Sequence, residues 1–162
     1  MFEPEIFEPP KVSVFKIHPD AVFPQRQSEE AIGFDLHTIE DFSLFPGQRI
    51  VVGTGLVMQP PQGYHMEILI RSSMAFKHNI MLINGVGLID RDYAGPEDEL
   101  KLMFYRAPEF SRGNLLKGPK AASFKKGDRV AQVVFRKSEV LDLAEVREAP
   151  GKTRGGLGST GK

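Results

Sequence analysis

The stretch that decides the fold is MEILIRSSMAFKHN, residues 66–79. At 66–68 an apolar Met and an apolar Ile flank a Glu, an alternation that is typical of a half-buried β-strand. After the strand, Ser72 or Ser73 is suited to be the N-cap of a helix of about two turns, which ends at Asn79, a residue that tolerates the left-handed conformation. The stretch therefore predicts a strand that leads into one short helix.

Strands and turns recur on both sides of this stretch. The chain has 16 Gly and 12 Pro, and no other segment keeps a 3.6-residue apolar period for long, so we expect little further helix. Antiparallel strands at this spacing close into a barrel or a jelly-roll sandwich, and we favour a mainly β, jelly-roll-like fold. The other predicted strands lie at 12–14, 42–44, 49–58, 80–83, 100–105 and 130–136, with turns at 46–47 and 126–128.

Composition limits the class of protein. A chain of 162 residues with 41% hydrophobic and 26% charged residues is typical of one water-soluble globule, which we place at residues 1–150. The net charge is zero, so neither nucleic acid nor a membrane is an expected partner. No apolar run reaches the ~20 residues of a membrane span and no basic region opens the chain. We therefore expect no secretion signal and a cytoplasmic or other intracellular compartment.

Two stretches lack the strand pattern. Residues 106–123 carry Pro, Gly and basic residues without alternation and are predicted to form an exposed loop. Residues 151–162 are too rich in Gly to pack unaided, so we expect a flexible C-terminal arm. The arm ends in GLGSTGK, which nearly matches the phosphate-loop pattern but lacks the Ser or Thr and the helix that should follow. A glycine-rich cover over phosphates and a disordered end both remain open.

A candidate anion site lies at the predicted start of the helix. Arg71, Ser72 and Ser73 place one cation and two hydroxyls where free backbone N–H groups and the helix dipole attract anions. The same residues also suit an ordinary helix cap preceded by a surface arginine. The segment indicates a phosphate cradle only if other segments converge on it.

A second candidate site is NGVGLIDRDYAG, residues 84–95. Its glycines alternate with apolar residues, so the backbone of a β-hairpin pocket can approach a flat ligand such as a pyrimidine. Tyr93 would pack against the sugar, and Asp90 is the candidate general base that orients a water molecule. A plain hairpin with turn-favouring aspartates and a tyrosine at its rim fits the pattern as well.

Two further segments give weaker signals. AIGFDL at 31–36 carries Asp35 among apolar neighbours, and GDRVAQ at 127–132 is a turn that enters a strand and brings the Gln132 amide inward. Both side chains also fit the description of hydrogen-bonded structural groups. Neither segment indicates a function without the others.

Taken in order, these four segments and the arm resemble the five motifs of the homotrimeric dUTPase family. The resemblance extends from Ala31 to the end of the sequence. It implies a jelly-roll fold and an enzyme that hydrolyses dUTP to dUMP and pyrophosphate with Mg²⁺. It also implies a homotrimer with shared active sites, because in this family the arm of one subunit completes the site of another.

The resemblance assigns the triphosphate to polar side chains from four of the motifs. Asp35 would help to hold the Mg²⁺-bound triphosphate through water, the ion itself being held mainly by the substrate phosphates. Ser72 would lie near the phosphate bridge that is cut. The other phosphate-binding residues implied are Arg71, Ser73 and Gln132, with Asp128 and Arg129 as structural support, and Arg154, Gly158, Ser159 and Thr160 of the arm.

The resemblance assigns the nucleoside to the glycine-rich segment 84–95. Asp90 would activate the attacking water, and Tyr93 would exclude a ribose 2′-hydroxyl. The residues that would recognise uracil are Asn84, Gly87, Leu88 and Ile89.

The chain departs from the family pattern at two places. Leu157 stands where the family usually has a Phe whose ring stacks on uracil, and loss of that face should cost roughly 1 kcal/mol of base binding. We therefore expect a higher KM and a reaction that still proceeds. Residues 96–99, PEDE, intervene between Gly95 and the next strand, so the rim of the uracil pocket is expected to be reshaped.

Two alternative functions remain open from the sequence. A dCTP deaminase, or an enzyme with both activities, shares the fold and an Arg-Ser-Ser segment, and Glu97 or Glu99 could supply its carboxylate. The Asp-x-Asp-Tyr segment and the glycine-rich arm favour the pyrophosphatase. The other alternative is a catalytically silent, nucleotide-binding regulatory protein, which would bind dUTP without releasing pyrophosphate.

Overall fold

The computed structural model describes residues 9–108, 110–111, 114–115, 120–139 and 141–152. These residues form thirteen short strands and one short helix, so the prediction of a mainly β chain is confirmed. Within the same ranges, no helix is long and apolar enough to cross a membrane. In chain order the elements are β1 Ser13–Lys16, β2 Phe34–His37, β3 Phe42–Leu44, β4 Arg49–Gly53, β5 Leu56–Gln59, β6 Tyr64–Ile70, α1 Ser72–His78, β7 Ile80–Leu82, β8 Gly87–Ile89, β9 Lys101–Arg106, β10 Phe110–Ser111, β11 Asn114–Leu115, β12 Ala122–Phe124 and β13 Arg129–Lys137.

The strands pair antiparallel in several small sheets, which gives the jelly-roll-like arrangement expected from the sequence. The largest sheet has the order β2-β13-β6-β8, and a second sheet has the order β4-β9-β7. The remaining strands form the pairs β1-β5, β3-β12 and β10-β11. Most neighbours are distant in sequence, so the chain passes repeatedly between sheets and encloses one apolar core.

The core is made of alternate residues from facing strands and is organised around three phenylalanines. Phe42 stacks on Phe124 with ring centroids 4.8 Å apart and on Phe104 with centroids 6.0 Å apart. Leu36 and Met66 bring the largest sheet into the same cluster, and both are fully buried. Burial of each such side chain stabilises the fold by about 1.5–3 kcal/mol. The core therefore packs against one face of the sheet that carries the candidate anion site and holds that sheet in place.

Helix α1 has the predicted extent, but its N-cap differs from the prediction. The N-cap residue is Arg71, with φ −74° and ψ 141°, and it makes no side-chain capping hydrogen bond. The prediction of Ser72 or Ser73 as N-cap is wrong, because both serines already lie inside the helix. Asn79 ends the helix in the left-handed region at φ 53° and ψ 33°, as predicted, and its N–H bonds to the carbonyls of Ala75 and Met74.

The predicted strand at 49–58 is two strands, β4 and β5. The chain turns between them at Thr54 and Gly55, and the Thr54 hydroxyl donates a 2.7 Å hydrogen bond to the carbonyl of Leu100. Gly55 has φ +66°, and a Cβ there would lie 2.7 Å from the Cβ of His18. Only glycine fits this conformation and this approach, so the turn is fixed by packing that the local pattern did not reveal.

The prediction of an exposed loop at 106–123 is wrong at both ends. Arg106 ends β9 and is only 6% exposed, because one guanidinium nitrogen donates to the carbonyls of Leu44 and Lys120 at 3.0 and 2.7 Å. Ala122 belongs to β12, which pairs with β3. A buried charge is stable when carbonyl oxygens satisfy it, and basic composition alone therefore misled the prediction here.

Strand β13 contains an irregularity that matters for the site. It pairs with β2 with Arg129 opposite His37, then Ala131 opposite Leu36, so Val130 is an extra residue in the ladder. Both Val130 and Ala131 are fully buried. Such a β-bulge shifts the alternation of side chains between the two faces of a strand.

Candidate active site

An open cleft of about 720 Å³ lies where β2, β13, the end of β6 and the start of α1 meet. It brings together residues from three of the segments that the sequence singled out. Asp35 comes from the first segment, Arg71, Ser72 and Ser73 from the second, and Gln132 from the fourth. These positions are far apart in the chain, so the sheet itself creates the convergence.

Pairing of the strands explains why these side chains meet. Gln132 of β13 lies opposite Asp35 of β2 on one side and opposite Leu69 of β6 on the other. Arg71 follows two residues after Leu69, at the point where β6 gives way to α1. Gly33 lies against this row, and a Cβ there would come within 2.8 Å of the Gln132 side-chain oxygen. A glycine at position 33 therefore leaves room for the Gln132 amide at the wall of the cleft.

Two arginines bracket the carboxylate of Asp35, which is only 5% exposed. Arg71 Nε lies 3.1 Å from one carboxylate oxygen, and Arg129 Nη1 lies 3.2 Å from the other. Arg71 also donates a 2.9 Å hydrogen bond to the backbone carbonyl of Arg129. Two guanidinium groups against one carboxylate give this three-residue cluster a net charge of +1, which favours an anionic ligand next to it.

The sequence assigned Arg129 only a supporting part, and it gave no part to His37. His37 ends β2 opposite Arg129, and its Nδ1 is buried with no hydrogen-bond partner among the residues the structure describes. Burial lowers the pKa of His37 below its ordinary value of 6.5; Asp35 opposes this effect, and the cations of Arg129 and Arg71 add to it. The imidazole is therefore neutral at pH 7 and adds no charge to the cleft.

Acidification is expected to destabilise the fold through His37 and His78. Burial, followed by the cations of Arg106 and Lys77, also lowers the pKa of His78 below 6.5. In the unfolded chain both histidines take up protons near pH 6.5, whereas in the folded chain they do so only at lower pH. The free energy of unfolding therefore falls as the pH drops below about 6.5. The urea midpoint of unfolding should fall as the pH is lowered from 8 to 5, and it should fall less steeply in a His37→Asn variant. An equal slope in both proteins would contradict this expectation, and pH 8 serves as the internal control.

The glycine-rich segment at 84–95 lies elsewhere on the same sheet. Gly87–Ile89 forms β8 and pairs with β6, whereas the preceding strand β7 pairs with β9. The expected β-hairpin is therefore wrong: the chain turns at Gly85, which has φ +70°, and the two neighbouring strands join different sheets. A Cβ at Gly87 would approach the Ile68 Cβ to 3.1 Å, so a larger residue there requires Ile68 to shift by a few tenths of an ångström.

Asp90 does not meet the cleft of its own chain. Ile89 pairs with Met66, and Arg71 lies five residues further along the same strand direction. At about 3.3 Å per residue, Ile89 lies roughly 16 Å from Arg71 along β6, and Asp90 is the next residue beyond Ile89. Asn84, Asp90 and Tyr93 are exposed and are not among the residues that line the cleft.

The remaining predicted site residues have different outcomes. Glu99, considered above as the carboxylate of a deaminase, accepts a 2.8 Å hydrogen bond from the backbone N–H of Gly55 and is within 3.8 Å of the Lys101 ammonium. Its carboxylate is thus engaged in holding the β4–β5 turn. The predicted arm residues Arg154, Leu157, Gly158, Ser159 and Thr160 lie outside the described residues.

Solved structures identify the class of fold. The chain superposes on a dUTPase of Staphylococcus bacteriophage 80alpha with bound dUpNHpp at a TM-score of 0.74, with 22% identity over 93% of this chain and 98% of that one. A dUTPase from phage phi11 of S. aureus, in which a structural Mg(II) ion is coordinated, matches at a TM-score of 0.71 with 21% identity, over 87% and 99% of the two chains. The fold is that of the dUTPases.

Sequence relatives then identify the family. The dUTPase family model matches residues 20–161. The deoxyuridine 5′-triphosphate nucleotidohydrolase of Nautilia profundicola is 39% identical, over 94% of this chain and 99% of its own. The enzyme of the same name from Wolinella succinogenes is 38% identical, over 94% and 95% of the two chains. The chain belongs to the dUTPase family.

Proposed function

We propose that this chain hydrolyses dUTP to dUMP and pyrophosphate in the presence of Mg²⁺, by attack of water on the α-phosphorus. The observation that carries the proposal is the cleft in which two serines and Gln132 converge beside the Arg71–Asp35–Arg129 cluster, whose net charge is +1. Membership of the dUTPase family supplies the reaction. The chemistry of each residue follows from its place in or near that cleft.

The cleft residues suit the triphosphate. Its oxygens repel a nucleophile, so hydrolysis needs their charge to be offset where it increases in the transition state. Arg71 supplies a fixed cation, because Asp35 and the Arg129 carbonyl hold its guanidinium in place before any ligand binds. Ser72 and Ser73 add hydroxyl donors at the start of α1, and Gln132 adds an amide donor.

The residues present fit a Mg²⁺ ion that arrives with its substrate. Among the described side chains, no group of three or more His, Asp or Glu could form a cage made of protein alone. Protein sites for Mg²⁺ commonly use one or two carboxylates together with waters and substrate phosphates. Both oxygens of Asp35 already face an arginine, so a contact through water suits it better than direct ligation. When bound, the ion would withdraw charge from the phosphate oxygens.

Asp90 is the proposed general base. Its position is exposed, at the end of β8, where a carboxylate can accept a proton from a bound water molecule. Asn84 and the backbone of β8 would hold uracil, and a site built to hydrogen-bond one base edge leaves groups unpaired with another. Asp90 follows Ile89, which lies roughly 16 Å from Arg71 along β6, and this distance supports a site shared between chains. We propose that the two halves of each complete site come from different copies of the chain.

The surface needed for such an assembly is the outer face of the sheet β4-β9-β7. Val51, Met81, Ile83 and Met103 are each 40–55% exposed there, although all four are apolar. Val51 lies opposite Met103, and the Ile83 N–H bonds to the Met103 carbonyl, so the side chains form one contiguous patch. Contiguous exposed apolar surface marks an interaction site. Ile83 directly precedes Asn84, so a second copy on this face brings the uracil-binding segment to a neighbour, and we propose a homotrimer with shared sites.

A charge placed in this patch is expected to disperse the assembly. In Met103→Glu the carboxylate would be buried without a partner when copies associate, a penalty of several kcal/mol per contact. Sedimentation should then show monomer where the wild-type chain sediments as a trimer, and dUTP turnover should fall with it. Phe76→Glu is the matched control, because Phe76 is 89% exposed on α1 and lies outside the patch. A trimeric Met103→Glu variant would contradict the assignment of this face.

Substrate specificity is the direct test of the proposed function. Pyrophosphate release is measured from dUTP, dCTP, dTTP and UTP with Mg²⁺, each with and without EDTA, while ammonia is monitored. We expect metal-dependent release from dUTP only. Ammonia from dCTP would establish the deaminase, and dUTP binding without release would establish a silent nucleotide-binding protein; either outcome overturns the proposal.

A further inference from the structure

Tyr93 is tied to the segment that follows it in the chain. Its hydroxyl donates a 3.2 Å hydrogen bond to the backbone carbonyl of Glu99, while the residue remains 41% exposed. The Tyr93 N–H bonds to the Asp90 carbonyl at 3.3 Å, so the residue is also fixed at its backbone. A tyrosine held at both its backbone and its hydroxyl has little freedom to rotate and presents a fixed ring.

The intervening residues 96–99 form a closed turn. The Gly95 N–H donates a 2.7 Å hydrogen bond to a carboxylate oxygen of Asp98, and the Asp98 N–H donates back to the Gly95 carbonyl at 3.1 Å. The Glu99 N–H bonds to the Glu97 carbonyl at 2.9 Å. These bonds form within five consecutive residues, so the turn keeps its shape without help from a ligand.

The far end of the turn is anchored to the core. The Glu99 carboxylate accepts a 2.8 Å hydrogen bond from the N–H of Gly55, whose own position is fixed by the tight packing of the β4–β5 turn. Leu100, the next residue, is fully buried, and its N–H bonds to the Leu56 carbonyl at 2.8 Å. The carbonyl that receives the Tyr93 hydroxyl is therefore among the rigid parts of the molecule.

We infer that Asp98 and Glu99 are positioning residues that set the orientation of Tyr93 and so determine how strictly the enzyme rejects a ribonucleotide. The inference rests on the proposed function and on the part that the resemblance to the dUTPase motifs gives Tyr93, the exclusion of a ribose 2′-hydroxyl. To exclude a single oxygen atom, the ring that blocks it must stay in place. Supporting contacts must hold such a group within about 0.5 Å of its position. Asp98 closes the turn, Glu99 anchors it, and the Tyr93 ring blocks the 2′-hydroxyl.

The test compares kcat/KM for dUTP with kcat/KM for UTP. In Tyr93→Phe, which lacks the hydroxyl, and in Asp98→Ala, which lacks the acceptor for Gly95, the ratio is expected to fall about tenfold through a gain with UTP, the scale of one hydrogen bond. Asp98→Asn keeps an acceptor oxygen and should retain the wild-type ratio. Glu97→Ala is the matched control, since Glu97 is an exposed neighbour in the same turn.

The double variant Tyr93→Phe/Asp98→Ala tests whether both residues act through the same contact, the hydrogen bond from the Tyr93 hydroxyl to the Glu99 carbonyl. We expect its ratio to match that of the single variants, because effects that share one contact do not add. A full product of the two effects, or ratios within twofold of wild type in both single variants, would overturn the inference. If Asp98→Ala fails to fold, Glu99→Ala, which removes the acceptor for the Gly55 N–H, takes its place, and ratios within twofold of wild type in both Tyr93→Phe and Glu99→Ala overturn the inference. A wild-type chain that fails to release pyrophosphate from dUTP would instead refute the proposed function, and this inference with it.

Discussion

Replacement of Asp90 by asparagine is expected to lower kcat for dUTP by roughly 10²–10⁴-fold, the usual contribution of a general base. The amide has nearly the shape of the carboxylate but cannot accept the proton of the attacking water. Binding should persist, because the cleft that holds the phosphates and the backbone that holds uracil are unchanged. Stopped-flow turnover and calorimetric binding of a non-hydrolysable dUTP analogue separate the two effects. A wild-type kcat would remove Asp90 from this role.

Mixing two inactive variants tests where Asp90 acts. Arg71→Ala should also be inactive, since it removes the fixed cation of the cleft and leaves Asp35 with a single arginine. If each site takes Asp90 and Arg71 from different copies, refolding the two variants together should restore activity in some sites of the mixed assemblies. Each variant refolded alone serves as the control. If no activity is restored, Asp90 and Arg71 of the same chain act in one site, contrary to the separation of roughly 16 Å or more between them along β6.

Deletion of the chain from Arg154 onward is expected to reduce kcat on the order of 10²–10³-fold, the cost of removing one transition-state donor. The resemblance to the dUTPase motifs gives Arg154, Ser159 and Thr160 a place over the triphosphate of a neighbouring subunit. Stability should not change, because the deletion removes none of the core residues found in the described part of the chain, the last of which are Val133 and the partly buried Phe135. Turnover and sedimentation of the truncated chain are the measurements.

A shorter deletion supplies the control for the arm. Removal of Gly161 and Lys162 keeps the three polar residues and should leave kcat near that of the full chain. An unchanged kcat after the longer deletion would mean that the arm takes no part in the reaction. A loss of assembly would instead give the arm a role in holding the subunits together.

Local pattern predicted those parts of the fold that local physics determines. Alternation identified the strand around Glu67, and the tolerance of Asn79 for the left-handed conformation identified the end of the helix. Prediction failed where distant residues decide. Arg106 is buried because two carbonyls from other parts of the chain accept its hydrogen bonds, and Gly55 breaks a strand because of what packs against it. Neither partner is visible in a window of sequence.

The site residues also divide into those that local pattern predicts and those that depend on distant partners. The sequence singled out Asp35, Arg71 and Gln132 separately, and the structure places them in one cleft. The part played by Arg129 was underestimated, because its partner Asp35 is 94 positions away in the chain. His37 gave no signal, since a single histidine at the end of a short strand has no pattern. A motif can name the residues of a site, but the charge balance among them depends on pairing across a sheet.

The extra residue in β13 makes the length of that strand as important as its composition. Residues three apart in a regular strand point to opposite faces, yet Arg129 and Gln132 both reach the side occupied by Asp35, because the bulge at Val130 lies between them. Deleting Val130 would turn one of the two away without altering any residue that touches a ligand. For protein engineering, substitutions that conserve the volume of Val130 should be tolerated, whereas single-residue insertions or deletions between positions 129 and 132 should abolish the site.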